Sequence, residues 1–170
     1  RYLALVRAAI ASFQRVGAAR NVCIASVNAG YAFMKCGAFA EAGRALREAL
    51  ANAERAGLLY VMTAAKHNLG LVLARLGALD EAVVVEEDAV SLAKQQGDPR
   101  IRGGSLVYLA MIHEMRHEHA EAEREVRSAI EIVKNIPPTL AAASGVLARV
   151  LLGRGARDEA LATAKSAMNL

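Results

Sequence analysis

Apolar side chains recur along this chain at a period close to 3.6, and the runs are cut at regular intervals by glycine. Leu69, Leu73 and Leu76 stand at i, i+4 and i+7, which is one apolar stripe on a helix. Gly77 follows, and glycine readily takes the left-handed angles that end a helix. The next run sets Leu79, Ala82, Val83, Ala89, Val90 and Ala93 on one face and closes at Gly97-Asp98-Pro99, a stop-and-restart signal. Pro137-Pro138 does the same further on. The pattern predicts helix after helix, joined by tight turns.

The helices belong to a repeat. Asn28-Ala29-Gly30-Tyr31, Gly37, Glu41-Ala42 and Ala49 recur at a spacing of 40 as Asn68-Leu69-Gly70-Leu71, Gly77, Glu81-Ala82 and Ala89. Tyr108-Leu109-Ala110-Met111, His117, Glu121-Ala122 and Ala129 come 40 later, and Ala148, Gly155, Glu159-Ala160 and Ala167 come 38 after that. Val6, Ala9, Ile10, Phe13 and Gly17 match the second helix of such a unit. The register predicts one repeat domain over 1–170, with a trailing helix at 1–17 and repeats at 18–57, 58–97, 98–137 and 138–170. Gly30, Gly70, Ala110 and Ala148 fall in mid-helix, where glycine costs up to about 1 kcal/mol against alanine. A close helix crossing explains that cost, with Ala42, Ala82, Ala122 and Ala160 as the facing small surface.

Composition narrows the class. The 170 residues are 55% hydrophobic and 4% aromatic, with three prolines and no tryptophan, which excludes a disordered, collagenous or disulfide-stapled chain and disfavours a β-sandwich. The net charge of +4 is spread among interleaved glutamates, so neither a basic patch nor a stacking platform for nucleic acid forms. No apolar run reaches the roughly 18 residues of a membrane-spanning helix. No signal peptide is visible, and the chain opens on Arg1 in mid-repeat, the expectation for a piece of a larger cytoplasmic protein. Cys23 and Cys36, thirteen residues apart, would sit about 19 Å apart on one helix. A disulfide needs Cα atoms within about 7 Å, so both are expected to be free, buried thiols.

Leu69-Gly70-x-x-Leu73, Gly77-x-Leu79-x-x-Ala82, and the parallel Ala29-Gly30-x-x-Phe33, Gly37-x-Phe39-x-x-Ala42, resemble the tetratricopeptide repeat. The unit departs from the family's usual length of about 34 residues, and Ser26, Lys66, Leu106 and Ser144 replace its early tryptophan. Such long units are similar to those of bacterial multidomain signalling proteins, among them serine/threonine kinases and large ATPase-type transcriptional regulators. The resemblance implies an all-α, right-handed α-solenoid of about nine antiparallel helices, four pairs and a leading half repeat. The first helix of each pair would line a concave groove for a protein or peptide partner. On this chain the groove positions are Asn28, Tyr31 and Lys35, then His67, Asn68 and Arg75, then Tyr108 and Met111, then Arg149. Amides, tyrosines and a few cations suit an extended or helical peptide with some negative charge. Asn28 and Asn68 could bond a partner's backbone or a neighbouring helix; Leu71 and Met111 could line the groove or the core.

Three other features carry chemistry. His113-Glu114-x-x-His117 has the spacing of a zinc-hydrolase string, with His119 nearby. The register opposes it, since His117 holds a turn position and His113 a core position, and no third ligand follows; His113 is read as a partly buried, hydrogen-bonded histidine, with adventitious metal binding by His113, His117 and His119 as the alternative. Glu86 falls on the packing stripe where Leu46 and Val126 fall, and either pairs with Arg55, Lys66 or Arg102 or tilts to solvent. No phosphate loop and no nucleophile elbow are present, so the chain is not read as an enzyme and needs no cofactor. The expected function is a protein–protein interaction module of a larger bacterial signalling or regulatory protein; the alternative is a small-ligand sensor governing an attached kinase or ATPase. Without a polar capping helix at either end, self-association is also expected.

Overall fold

The computed structural model describes residues 2–169, and the outermost positions of the 1–170 domain lie outside the described residues. Nine helices and no strand occur among the described residues: α1 (Tyr2–Arg15), α2 (Ala19–Lys35), α3 (Phe39–Arg55), α4 (Leu59–Arg75), α5 (Leu79–Gln96), α6 (Pro99–Met115), α7 (His119–Val133), α8 (Pro137–Gly153) and α9 (Arg157–Ala167).

The turns explain this regularity. After α2, the Ala38 amide donates to the Phe33 carbonyl at 3.0 Å and the Gly37 amide to the Met34 carbonyl at 3.0 Å, while Gly37 takes φ 75°. This Schellman ending needs a left-handed residue, the conformation glycine reaches without steric cost. The same long bond recurs after α4 (Ala78 to Leu73, 3.0 Å), α6 (Glu118 to His113, 2.9 Å) and α8 (Ala156 to Leu151, 2.9 Å). It also closes α1, α3 and α5, at Gly17, Gly57 and Gly97, so the structural period of the turns is half the sequence repeat. Helix starts are less marked. Ala18, Ala38 and Leu58 offer no side-chain cap, whereas Asp98 accepts from the Ile101 amide at 2.9 Å ahead of Pro99.

His117 breaks the glycine rule. It takes φ 62° at the turn where Gly37, Gly77 and Gly155 stand in the other units. A residue with a Cβ in that region costs roughly 1–2 kcal/mol. Its side chain is exposed, so His117→Gly removes strain without opening the core. The variant is expected to be more stable by about 1 kcal/mol, read as a higher urea midpoint of the helical circular dichroism signal.

The described residues form two compact units, one up to Val85 and one from Glu86. In the first, α2 and α4 lie side by side, both against α3, and α1 packs on α2. In the second, α6 and α8 lie side by side against α7, and α9 packs on α8. The core of the first unit is built on Leu46, Val72 and Leu73, and that of the second on Ala110, Val126, Val150 and Leu151, all essentially inaccessible to water. The small mid-helix residue of the repeat has a specific task. A Cβ at Gly30 would lie 2.5 Å from Leu46 Cγ, so the α2–α3 crossing seats a leucine knob where α2 has no side chain. The facing residue is therefore Leu46, one turn beyond the expected Ala42. Equivalent positions pair Ala110 with Val126 and Ala148 with Ala164, so knob and seat change size together along the first two of these pairs. Gly103 seats Val133 in the same manner.

Candidate functional site

On α2, Asn28, Tyr31 and Lys35 stand at i, i+3 and i+7 and are all exposed, in line with Ile24. They form the stripe turned away from the buried residues Val27, Gly30 and Met34. Lys35 has no ion pair among the described residues. On the adjacent α4, Arg75 is exposed and likewise has no ion pair among the described residues, while His67 is half-buried. Asn68 behaves differently from Asn28 despite the shared register. It is buried, and its Nδ2 donates to the Ala64 carbonyl of its own helix at 2.9 Å. Leu71 is buried as well. The helix explains the difference, because α4 is buried over most of its circumference and α2 keeps one face in water.

In the second unit, Tyr108 and Met111 are half-buried against the core. Arg149 is exposed, but its guanidinium is engaged by Glu114 of α6, with Nε donating to Oε1 at 3.2 Å and a second bond to the other carboxylate oxygen. Further ion pairs join the helices of this unit. Arg127 of α7 donates to Glu123 at 2.8 Å and to Glu159 of α9 at 2.7 Å, and Arg154 donates to Glu123. The Arg127 bond, opposed by partial burial and seconded by Arg154, holds the Glu123 carboxyl below the usual carboxylate range. The bond to Glu159, then that to Glu123, raises Arg127 in turn.

The histidine string is taken apart by the turn. His113 Nδ1 lies 2.7 Å from Glu118 Oε2, and that bond, with Arg116 beside it, lowers the Glu118 carboxyl's pKa. Glu114, which a hydrolase would need as its base, is held by Arg149. His117 stands in the turn, its ring centroid 6.3 Å from that of His119, edge to face. The His119 ring abuts Gly153, where an added Cβ would meet Cε1 at 3.0 Å. No group of three or more His, Cys, Asp or Glu gathers as a metal site among the described residues.

One expectation is corrected and one open alternative is decided. Cys23 is buried, but Cys36 is exposed, because it ends α2 and sits in the turn before Gly37. Glu86 does not tilt to solvent; it is fully buried in the stripe of Leu46 and Val126.

Helix pairs linked by Schellman turns, with the first helices side by side and the second helix packed against both, define an α-solenoid. Residues 63–95 match the family model of the tetratricopeptide repeat, and the landmarks of that stretch recur in register in the other units. The fold is shared with solved structures of low sequence identity. The nearly identical tetratricopeptide-like repeats of a Podosopora anserina protein described as a kinesin light chain align with TM-score 0.73 at 19% identity, over 98% of this chain and 84% of that one. BtubC (BKLC) from P. vanneervenii gives TM-score 0.63 at 16% identity, over 98% and 88%. MamA gives 0.62 at 19% identity, over 94% and 85%. No curated protein matches the chain in sequence. No helix among the described residues is long and apolar enough to cross a membrane.

Proposed function

We propose that this chain is a protein-interaction module that holds a partner's peptide segment on the outward face of α2 and the adjoining end of α4. The observation that carries this reading is the exposed stripe of Asn28, Tyr31 and Lys35 beside Arg75. A tyrosine offers a large contact at low conformational cost, an amide can bond a partner's backbone, and two cations without ion pairs favour a carboxylate-bearing segment. Arg149, by contrast, already has its carboxylate in Glu114. Asn68 is bonded within its own helix, and Tyr108 and Met111 lie half-buried against the core of the second unit. Within this reading the module belongs to a larger bacterial signalling or regulatory protein in the cytoplasm. It acts as one repeat domain, by binding and not by catalysis, on a protein and not on nucleic acid or a membrane.

The test is selection from a displayed library of random peptides on the immobilised chain. The reading expects selected sequences to be acidic around one or two apolar anchors, with affinity that falls as salt rises. Selected peptides that are basic or uncharged, and indifferent to salt, would contradict it.

A further inference from the structure

We propose that the cleft framed by α1, α2 and α3 binds a small apolar carboxylate, a molecule of the medium-chain fatty acid type. The site is independent of the peptide stripe. On a helix of about 3.6 residues per turn, Asn28, Tyr31 and Lys35 fall on the far side of α2 from Ala19, Val22 and Cys23, which line the cleft.

The cleft holds about 340 Å³, within the range of small-molecule sites. Phe13 and Gln14 of α1 and Asn52 of α3 complete its walls. The helices that frame it recur in the repeat, so the opening follows from the side chains. One repeat on, Ala19, Val22 and Asn52 correspond to the larger Leu59, Met62 and Leu92. Two repeats on, Asn52 and Ala53 correspond to Ile132 and Val133, which pack beside Gly103.

The lining selects the ligand. Phe13, Val22 and the buried Cys23 thiol offer an apolar surface. The Asn52 Oδ1 accepts from Arg55 Nη2, so the amide Nδ2 is left to donate and the guanidinium stands at the rim. Arg55 has no ion pair among the described residues, and neither have Arg15 and Arg20, which adjoin Gln14 and Ala19 in the chain. Residues 1–40 hold five cations and no acid, so α1 and α2 bring no carboxylate of their own; the alternation of charge begins at Glu41. Glu48 and Glu54 of α3 do not line the cleft. An apolar surface ending at an amide donor and a guanidinium matches an apolar body ending in a carboxylate. An apolar amine would meet the same cations with like charge.

The test is isothermal titration calorimetry of the chain with octanoate. Saturable binding at one site is expected, with a Kd of about 1 mM or tighter. Octylamine and octanol, with the same apolar body, should bind at least about tenfold more weakly. Asn52→Leu copies Leu92 and should fill the cleft and abolish binding. Ala19→Leu copies Leu59 and should do the same with the amide retained. Arg55→Glu should weaken octanoate by about tenfold or more. Tyr31→Ala should leave octanoate binding unchanged, and circular dichroism checks that each variant is folded. Octanoate that does not saturate the chain by about 10 mM would overturn the proposal. So would equal binding of octylamine or octanol, binding retained by either folded leucine variant, undiminished binding by Arg55→Glu, or a loss on Tyr31→Ala. A Leu-Leu-Leu peptide that binds more tightly than octanoate would also overturn it, by pointing to a chain terminus in place of a free acid.

Discussion

Gly30→Ala is expected to destabilise the chain by about 2 kcal/mol, although the same change in an isolated helix gains up to about 1 kcal/mol. The reversal comes from the crossing of α2 and α3. The new Cβ would lie 2.5 Å from Leu46 Cγ and 2.6 Å from its Cδ2. Cγ is the branch point of the side chain, and Leu46 is fully buried, so rotation cannot carry it clear. Either α3 withdraws from α2 or Leu46 leaves its rotamer, and both disturb a close-packed core. The repeat itself supplies the remedy. The equivalent positions of a later unit are Ala110 and Val126, so Gly30→Ala with Leu46→Val copies a pair that the chain already uses. The double variant should recover most of the loss, leaving a favourable coupling of about 2 kcal/mol in urea midpoints. Two single effects that simply add would show that Gly30 is not the seat of Leu46.

Tyr31→Ala combined with Lys35→Glu should weaken a library-selected acidic peptide by about thirtyfold or more, equivalent to about 2 kcal/mol. Truncating the tyrosine removes the largest exposed contact on α2, and reversing the lysine places a carboxylate against the peptide's own. Both side chains are exposed, so the folded fraction should not change. Two comparisons separate this from a general loss of structure. Arg149→Glu disrupts an ion pair with Glu114 and should leave peptide affinity unaltered. Asn28→Ala should weaken the peptide, whereas Asn68→Ala removes an intrahelical bond to Ala64 and should register only as a loss of stability of about 1 kcal/mol. Fluorescence anisotropy of the labelled peptide reads all four.

The periodicity carried most of the architecture because a solenoid is built from local contacts. Stripes such as Leu69, Leu73 and Leu76, stopped by Gly77, need no distant partner to be recognised. The half-period of the turns was visible too, in Gly17, Gly37, Gly57 and Gly77, though the stronger 40-residue signal masks it. What the pattern could not supply is which equivalent positions stay in water. Asn28 and Asn68 share a register, yet α4 is buried on nearly every side and α2 is not. Periodicity places a side chain on a face but does not say how many neighbours cover that face. Ion pairs were hidden for a related reason. Glu114 and Arg149 are 35 residues apart, on helices that become adjacent only after the repeat has stacked. That pairing also removes the base from the histidine string, which linear spacing alone would leave intact. Cys36 was misplaced because its apolar character was weighed above its position next to a turn glycine.

The central claim is that a partner segment lies on the exposed stripe of α2 and not on the outer surface of α3. Site-specific photocross-linking tests it most directly, with benzoylphenylalanine placed at Tyr31 in one variant and at Glu48, exposed on α3, in another. The account predicts that the selected acidic peptide is captured from Tyr31 and that excess unlabelled peptide suppresses the product, with no product from Glu48. Capture from Glu48, with none from Tyr31, would contradict it.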